Sequence, residues 1–201
     1  MARLRVGLTG GLASGKSTVG RLLAAKPGFL VVDADRLVAE LYEPGGEGAA
    51  AVAALCGPAY LTPGGGVDKR ALAARFFADE TLRRRLEAAI HPLVLRRFLA
   101  LAAAQDGIAV LEATRLVEAG YRDQLDLVVT VEAPEPLRLA RAVARGLSEA
   151  DARARLSAQG DGADRRAASD LVLENDADLA HLEALVDTLA GELLARAGRS
   201  A

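Results

Sequence analysis

The chain has 201 residues, which is enough for one α/β domain with an insertion and short for two independent domains. A net charge of −2 argues against a surface that holds nucleic acid by electrostatics, because such a surface needs a basic excess, and we expect no nucleic-acid partner. Aromatic residues make up 3% of the chain, and its 51% hydrophobic content comes heavily from alanine, leucine and valine, so we expect an aliphatic, helix-rich core.

Cysteine content and hydropathy indicate the compartment. The single cysteine, Cys56, excludes an internal disulfide bond and favours a reducing environment. No apolar run is long enough to span a bilayer, and glycines interrupt the apolar stretch near the start before it could form a signal-peptide core. We expect a cytoplasmic protein with no membrane partner, and a monomer.

The first predicted element is a strand over residues 4–8, which leads into a glycine-rich segment. Gly10 to Ser17 has the spacing G-x4-G-K-[ST] of a phosphate-binding loop, whose backbone N–H groups surround phosphate oxygens. Lys16 adds a positive charge at the outer phosphates, Ser17 offers a hydroxyl to Mg2+, and the helix that follows directs its positive end at the anion. The segment predicts a nucleoside triphosphate site made of these residues: Gly11, Ala13, Ser14, Gly15, Lys16, Ser17 and Thr18.

Two acidic residues follow the second predicted strand, Phe29–Asp33. Ligands in open α/β sheets bind outside the carboxyl ends of the strands, where Asp33 and Asp35 lie. Because residues two apart in a strand share a face, both carboxylates are expected to project toward the loop. One could then hold a magnesium-bound water or orient the other, while its partner accepts a proton from an attacking hydroxyl. The alternatives are a helix cap at Asp35 and a solvated acid at Asp33.

From residue 36 to about 105 the alternation of strands and helices stops and helices dominate. Asp68 and Asp79 are predicted to cap two of these helices, and Pro92 is expected to kink or interrupt the second. This stretch is interpreted as a helical insertion beside the sheet.

The remaining sequence returns to alternating elements. The predictions are strands at 108–112, 125–131 and 170–173, helices at 135–145, from 148 onward and at 178–197, and a loop at 160–166. Arg141 and Arg145 lie one helical turn apart, so they are candidates to neutralise charge on a transferring phosphoryl group. The alternative for either arginine is an exposed surface role. The whole pattern predicts an α/β fold in which helices cover both faces of a central parallel sheet.

These motifs, in this order, resemble the bacterial dephospho-coenzyme A kinase family. The resemblance is carried by Gly7 to Thr18, Val32-Asp33-Ala34-Asp35, Pro44-Gly45-Gly46, the run from Leu72 to His91 and Pro92, Arg141 to Arg145, Ala158-Gln159, Asp170 and Asn175. It spans almost the whole chain, and only the combined order is specific, because many NTPases share the phosphate loop. It implies one three-layer P-loop kinase domain over 1–201, with its core at 1–40, 106–137 and 167–201, a helical substrate insertion at about 41–105 and a small helical lid at about 138–166.

The resemblance also implies a reaction and a set of site residues. The enzyme would be a transferase that moves the γ-phosphoryl group of ATP to the ribose 3′-hydroxyl of dephospho-coenzyme A, with Mg2+, in the last step of coenzyme A biosynthesis. Asp35 would be the general base beside Asp33. The other implied roles are catalytic for Lys16, Arg141 and Arg145, nucleotide-binding for Asn175, and substrate-binding for Asp35, His91 and Glu118.

The sequence departs from the family pattern at three places. Thr114 and Arg115 replace Pro-Leu of a Pro-Leu-Leu-Phe-Glu element, the lid turn at 145–148 is one residue shorter, and a glycine usual after Asn175 is missing. Two alternatives therefore stay open: a nucleoside or nucleotide kinase on the same core, and a non-catalytic ATP-binding module. The long helical insertion favours a large, partly apolar acceptor. A switch GTPase is disfavoured because no Asn/Thr-Lys-x-Asp element is present.

Overall fold

The computed structural model describes residues 4–199, except the side chain of Phe77. Its strands are β1 (Leu4–Gly10), β2 (Phe29–Asp33), β3 (Ile108–Glu112), β4 (Leu127–Glu132) and β5 (Leu171–Glu174). Its α-helices are α1 (Lys16–Ala24), α2 (Ala34–Leu41), α3 (Glu47–Cys56), α4 (Lys69–Ala78), α5 (Glu80–Ala103), α6 (Glu135–Ala144), α7 (Glu149–Ala158), α8 (Ala163–Ala167) and α9 (Leu179–Arg199). Short 3-10 helices span Pro58–Tyr60 and Arg122–Gln124.

The strands form one sheet in the order β2-β3-β1-β4-β5. Strand β1 pairs in parallel with β3 and with β4, and β4 pairs in parallel with β5. Strand β3, with sequence Ile-Ala-Val-Leu-Glu, is buried at every residue, as expected for a strand covered on both faces. The predicted α/β fold with a central parallel sheet is confirmed, and the central position of β1 places the loop after it among the carboxyl ends of its neighbours.

The described residues form two compact units, each with an apolar core. One unit comprises residues 4–32 and 102–199 and contains most of the sheet; its core includes Leu8, Val19 and Leu193. The other comprises residues 33–101 and is helical; Val52 and Leu86 lie in its core. The finer division into core, insertion and lid stays a prediction.

Two of the predicted helix caps are present in the helical unit. The carboxylate of Asp68 accepts hydrogen bonds from the backbone N–H groups of Arg70 and Ala71, both at 3.0 Å, and that of Asp79 accepts one from Leu82 at 2.9 Å. Each carboxylate satisfies N–H groups that the first turn of a helix leaves without an intrahelical partner.

Helix α5 is continuous through Pro92, so of the two predicted effects the interruption is wrong and the kink stays a prediction. Proline removes one backbone hydrogen bond from the helix. On either side of it, however, a stripe of apolar side chains at a spacing of four residues is buried: Leu86, Ile90, Val94 and Phe98. The packing of this stripe offsets the loss of one bond.

The segment predicted as a loop at 160–166 contains helix α8, which begins at Ala163. Gly162 precedes the helix with φ 83°, and the Asp161 carboxylate accepts a hydrogen bond from the Ala163 N–H at 2.9 Å. Arg165, within the helix, is buried. A local hydrogen bond and burial of one side chain therefore support a helix in a segment whose composition is typical of a loop.

Candidate active site

The loop between β1 and α1 is a tight turn that only certain residues tolerate. Gly15 has φ 104° and Ala13 has φ 56°, in the left-handed region that L side chains rarely adopt. The Gly15 carbonyl accepts hydrogen bonds from the N–H groups of Thr18 at 2.9 Å and Val19 at 3.0 Å, which starts α1. A Cβ atom at Gly15 would collide with the side-chain amide of Asn175. The backbone φ angle and the contact with Asn175 therefore both require glycine at position 15.

A buried carboxylate at the end of β3 binds two polar side chains of α1. Oε1 of Glu112 accepts hydrogen bonds from Nζ of Lys16 and from Oγ of Ser17, both at 2.6 Å. Glu112 is 6% exposed, and a Cβ atom on Gly20 would collide with its second oxygen. Sequence reasoning did not select Glu112, although an acidic residue that ends an otherwise apolar strand is a visible signal.

Asn175, directly after β5, connects three parts of the site. Its Nδ2 donates to the Ser14 carbonyl at 2.7 Å, and its backbone N–H donates to the Glu132 carbonyl at 2.7 Å. Arg141 of α6 donates to the Asn175 carbonyl at 3.2 Å and to its side-chain oxygen at 3.3 Å. Asn175 and Arg141 thus support the phosphate loop from one side, whereas Arg145 is exposed at the C-cap of α6.

A second support comes from α6 and the end of α7. Arg138, which is 5% exposed, donates from Nε to the Leu12 carbonyl at 2.9 Å and from its terminal nitrogen to Oε1 of Gln159 at 3.1 Å. The same oxygen of Gln159 accepts the Leu12 N–H at 2.7 Å. Burial, and then the positive charge of Arg165, lower the pKa of Arg138. No local signal in the sequence separates Arg138 from Arg141 and Arg145 on the same helix.

The end of β4 contributes a further buried carboxylate. Oε1 of Glu132, 2% exposed, accepts hydrogen bonds from Thr130 Oγ1 at 2.9 Å and from Arg165 Nε at 3.4 Å. In the unit that contains most of the sheet, two buried polar atoms make no hydrogen bond within the described residues: Ser14 Oγ and one terminal nitrogen of Arg165. Buried polar atoms without a partner are rare in proteins and are candidates for contact with a ligand.

In the helical unit, Asp33 and Asp35 do not share a strand face, because β2 ends at Asp33 and α2 begins at Ala34. The premise from strand geometry is therefore wrong. Oδ1 of Asp33 accepts the backbone N–H of Asp35 at 2.8 Å, so Asp33, and not Asp35, is the N-cap of α2. The Asp35 side chain lies in the first turn of the helix and is exposed.

A groove between α2 and α4 has Asp35 among its lining residues and a volume of about 300 Å³. The lining is mostly apolar: Asp35, Val38, Ala39, Tyr42, Lys69, Leu72, Ala73 and Phe76. Burial raises the pKa of the Tyr42 hydroxyl, which keeps it a neutral hydrogen-bonding group at physiological pH. The groove therefore combines an apolar wall with one carboxylate and one ammonium group.

The other predicted substrate residues are placed as follows. His91 is half-buried within α5, one residue before Pro92. Glu118 is exposed in the turn between β3 and the 3-10 helix Arg122–Gln124. Their contact with substrate stays a prediction.

The chain is similar to known proteins along almost its whole length. Residues 4–181 match the sequence model of the family described as Dephospho-CoA kinase. The chain belongs to the dephospho-CoA kinase family. A dephospho-CoA kinase of Frankia casuarinae is 43% identical, over 95% of this chain and 84% of the relative. That of Thermobifida fusca is 42% identical, over 96% of this chain and 98% of the relative.

Solved structures agree with the P-loop kinase fold. A crystal structure from Thermus thermophilus has a TM-score of 0.80 and 33% identity, covering 96% of this chain and 99% of the other. A shikimate kinase from Bacteroides thetaiotaomicron, at 14% identity, has a TM-score of 0.58 over 94% of this chain and 98% of its own, and shares the fold alone. The resemblance found in the motifs is confirmed, and the nucleoside kinase and non-catalytic alternatives are not favoured.

Residues 4–199 lack two features. No helix among them combines the length and hydropathy of a membrane span. No group of three or more His, Cys, Asp or Glu side chains among them has the arrangement of a metal site made by protein ligands alone.

Proposed function

We propose roles for individual residues in the reaction of this family, in which ATP phosphorylates dephospho-CoA to give coenzyme A and ADP. The protein is a kinase, and the observation that carries the proposal is the loop after β1 with Lys16, Ser17 and Glu112 at its end. Such a strand, loop and helix arrangement presents N–H groups and a helix N-terminus to an anion. The orphaned hydroxyl of buried Ser14 supports a ligand at this loop.

The side chains at the start of α1 fit Mg2+ as well as phosphate. Mg2+ prefers oxygen ligands and is usually held by one or two carboxylates together with phosphate oxygens and water. Ser17 and Glu112 supply a hydroxyl and a carboxylate, already hydrogen-bonded to each other. The ion would neutralise charge on the β- and γ-phosphate oxygens. The Lys16 ammonium group, which is hydrogen-bonded to Glu112, would bind the outer phosphates.

The groove between α2 and α4 is proposed to receive the acceptor. Its apolar wall suits the aliphatic part of a large substrate, while Lys69 can contact a phosphate of it. Asp35 is proposed as the general base: the acceptor oxygen bonds to the γ-phosphorus, the bond from that phosphorus to the β–γ bridging oxygen breaks, and the hydroxyl proton passes to the Asp35 carboxylate. Asp33 positions this base by capping α2.

The remaining predicted residues complete the proposal. Arg141 acts through Asn175, which it contacts, to position the loop. Arg145, exposed at the end of α6, and the predicted substrate contacts His91 and Glu118 keep the roles implied by the family. A cytoplasmic monomer without nucleic-acid or membrane partners stays the expectation from the sequence.

A coupled assay of ADP release tests the reaction. With ATP and Mg2+, we expect turnover with dephospho-CoA and none with adenosine, AMP or shikimate. Turnover independent of the acceptor would contradict the proposal. Asp35→Asn is expected to lower kcat by about 10²-fold with little change in ATP affinity, since it removes a proton acceptor. Asp123→Asn, on the exposed 3-10 helix, serves as the matched control. If ATP binding falls instead, Asp35 belongs to the nucleotide site and is not the base.

A further inference from the structure

Helix α8 contains a buried arginine whose guanidinium group has one terminal nitrogen without a hydrogen bond to any described residue. Arg165 is 8% exposed, and its Nε donates to Glu132 at 3.4 Å. One terminal nitrogen of the same guanidinium is fully buried and makes no hydrogen bond within the described residues. A guanidinium carries five N–H donors and cannot lose its charge in a protein, so an unpaired buried nitrogen is costly unless a ligand accepts from it.

That nitrogen lies between two glycines. A Cβ atom on Gly11 of the phosphate loop would be 3.1 Å from it, and a Cβ atom on Gly162 would be 2.5 Å from it. The terminal nitrogen of Arg138 approaches Gly11 as well, close enough that a Cβ atom there would collide with it. Two guanidinium groups therefore flank one residue of the loop, in space that any side chain at Gly11 would fill.

The charge around this space favours an anion. Arg138 donates to neutral oxygens of Leu12 and Gln159, so no carboxylate hydrogen-bonds to it directly. Glu132 accepts hydrogen bonds from Arg165 Nε and from Thr130, but none from the buried terminal nitrogen of Arg165. The two guanidinium groups and the Glu132 carboxylate together keep a net positive charge, which attracts an anion because little water screens it in a buried place.

We propose that Arg165 is a catalytic residue of the kinase, whose unsatisfied guanidinium nitrogen, beside Arg138, binds an oxygen of the γ-phosphoryl group of ATP as it is transferred. Glu132 positions it. This inference rests on the proposed function and adds a buried pair on α6 and α8 to the charge neutralisation that the sequence suggested for Arg141 and Arg145. A preorganised donor in a buried site stabilises developing charge without reorganisation at the moment of reaction.

The next residue provides a matched control. Arg166 belongs to the same helix, but its side chain is exposed and donates to Glu174 at 2.7 Å. Substitution of either arginine by methionine removes a charge and retains a long side chain. We expect Arg165→Met to lower kcat by about 10²- to 10³-fold, the usual effect of removing one donor to a transition-state oxygen, and Arg166→Met to stay within twofold of the wild type.

Arg165→Met leaves buried Glu132 without its cation and could fail to fold. The double variant Arg165→Met with Glu132→Gln removes both charges and retains the Thr130 hydrogen bond, so it keeps the test decisive. Turnover of a folded variant within about threefold of Arg166→Met would overturn the inference. Partial recovery of turnover in Arg165→Lys, which restores the positive charge without the planar guanidinium group, would support the inference.

Calorimetric titration with ATP and with ADP separates this inference from the proposed function. If Arg165 contacts the γ-phosphate, the Arg165 variants should lose affinity for ATP relative to Arg166→Met and keep their affinity for ADP. Equal affinities of the Arg165 variants and the control for ATP would overturn the contact. This titration needs no acceptor, so it tests the Arg165 contact even if the wild type shows no turnover with dephospho-CoA. Absence of that turnover would refute the proposed function and not this inference.

Discussion

Removal of the Lys16 charge is expected to cost stability as well as activity. Nζ of Lys16 lies 2.6 Å from Oε1 of Glu112, and the two side chains are 13% and 8% exposed. Lys16→Met leaves that carboxylate buried with the Ser17 hydroxyl as its remaining described hydrogen-bond donor. A buried charge that loses its partner is strongly destabilising.

The expected magnitude follows from that burial. Breaking such a pair costs about 3 kcal/mol, at the low end for buried pairs because both groups keep some contact with water. In a domain of this size about 3 kcal/mol lowers the unfolding temperature by roughly 6–12 °C. The double variant Lys16→Met with Glu112→Gln should recover most of the loss, because no unpaired buried charge remains.

Thermal unfolding without nucleotide measures this effect, and the coupled ADP assay measures turnover. Lys26→Met is the matched control: its ammonium group pairs with Asp187 at the surface, where an ion pair contributes little. We expect the control to unfold within about 2 °C of the wild type and to remain active, whereas both Lys16 variants lose turnover. If Lys16→Met unfolds at the temperature of Lys26→Met, the buried pair does not contribute as described.

Three further predictions concern stability. Asn175→Ala removes the donor to the Ser14 carbonyl and should lower the free energy of unfolding by about 1–3 kcal/mol and weaken ATP binding; denaturant unfolding and calorimetry check both. Hydrogen bonds from Arg5 hold the pKa of the Asp126 carboxyl below its usual value, so its stabilisation is present above about pH 4 and is lost as the pH falls through the folded-state pKa. The difference in unfolding temperature between Asp126→Asn and the wild type should therefore shrink on acidification, and a constant difference would contradict this. Ser148→Ala removes the N-cap of α7 and should cost about 1 kcal/mol in denaturant unfolding; no change would show that the cap is dispensable.

The main elements of the fold are predictable from local sequence. The strands at Phe29–Asp33 and Ile108–Glu112 are short apolar runs between clear turn signals, and their predicted bounds agree with the structure. The phosphate loop is equally visible, since its spacing and its flanking strand and helix are all local. One error has a local cause: α2 begins directly after Asp33 because Asp33 caps it. The other has a tertiary cause, since α5 continues past Pro92 where packing of its buried stripe compensates for the lost hydrogen bond.

The partners within the site could not be predicted in the same way. Lys16 and Glu112 are 96 residues apart, and Arg138 and Leu12 are 126 apart. Such contacts depend on the order of strands in the sheet and on the packing of α6 against the loop. Hydrophobic periodicity predicts neither the strand order nor this packing. The distinction between Arg165 and Arg166 depends on burial of one neighbour and exposure of the other, which composition does not reveal.

Phosphorus and proton NMR of the reaction product tests the central claim most directly. With dephospho-CoA, ATP and Mg2+, the account predicts a new phosphomonoester signal coupled to the ribose 3′ proton, formed in step with one equivalent of ADP. Inorganic phosphate appearing while dephospho-CoA stays unchanged, or a phosphate attached at another position, would contradict it.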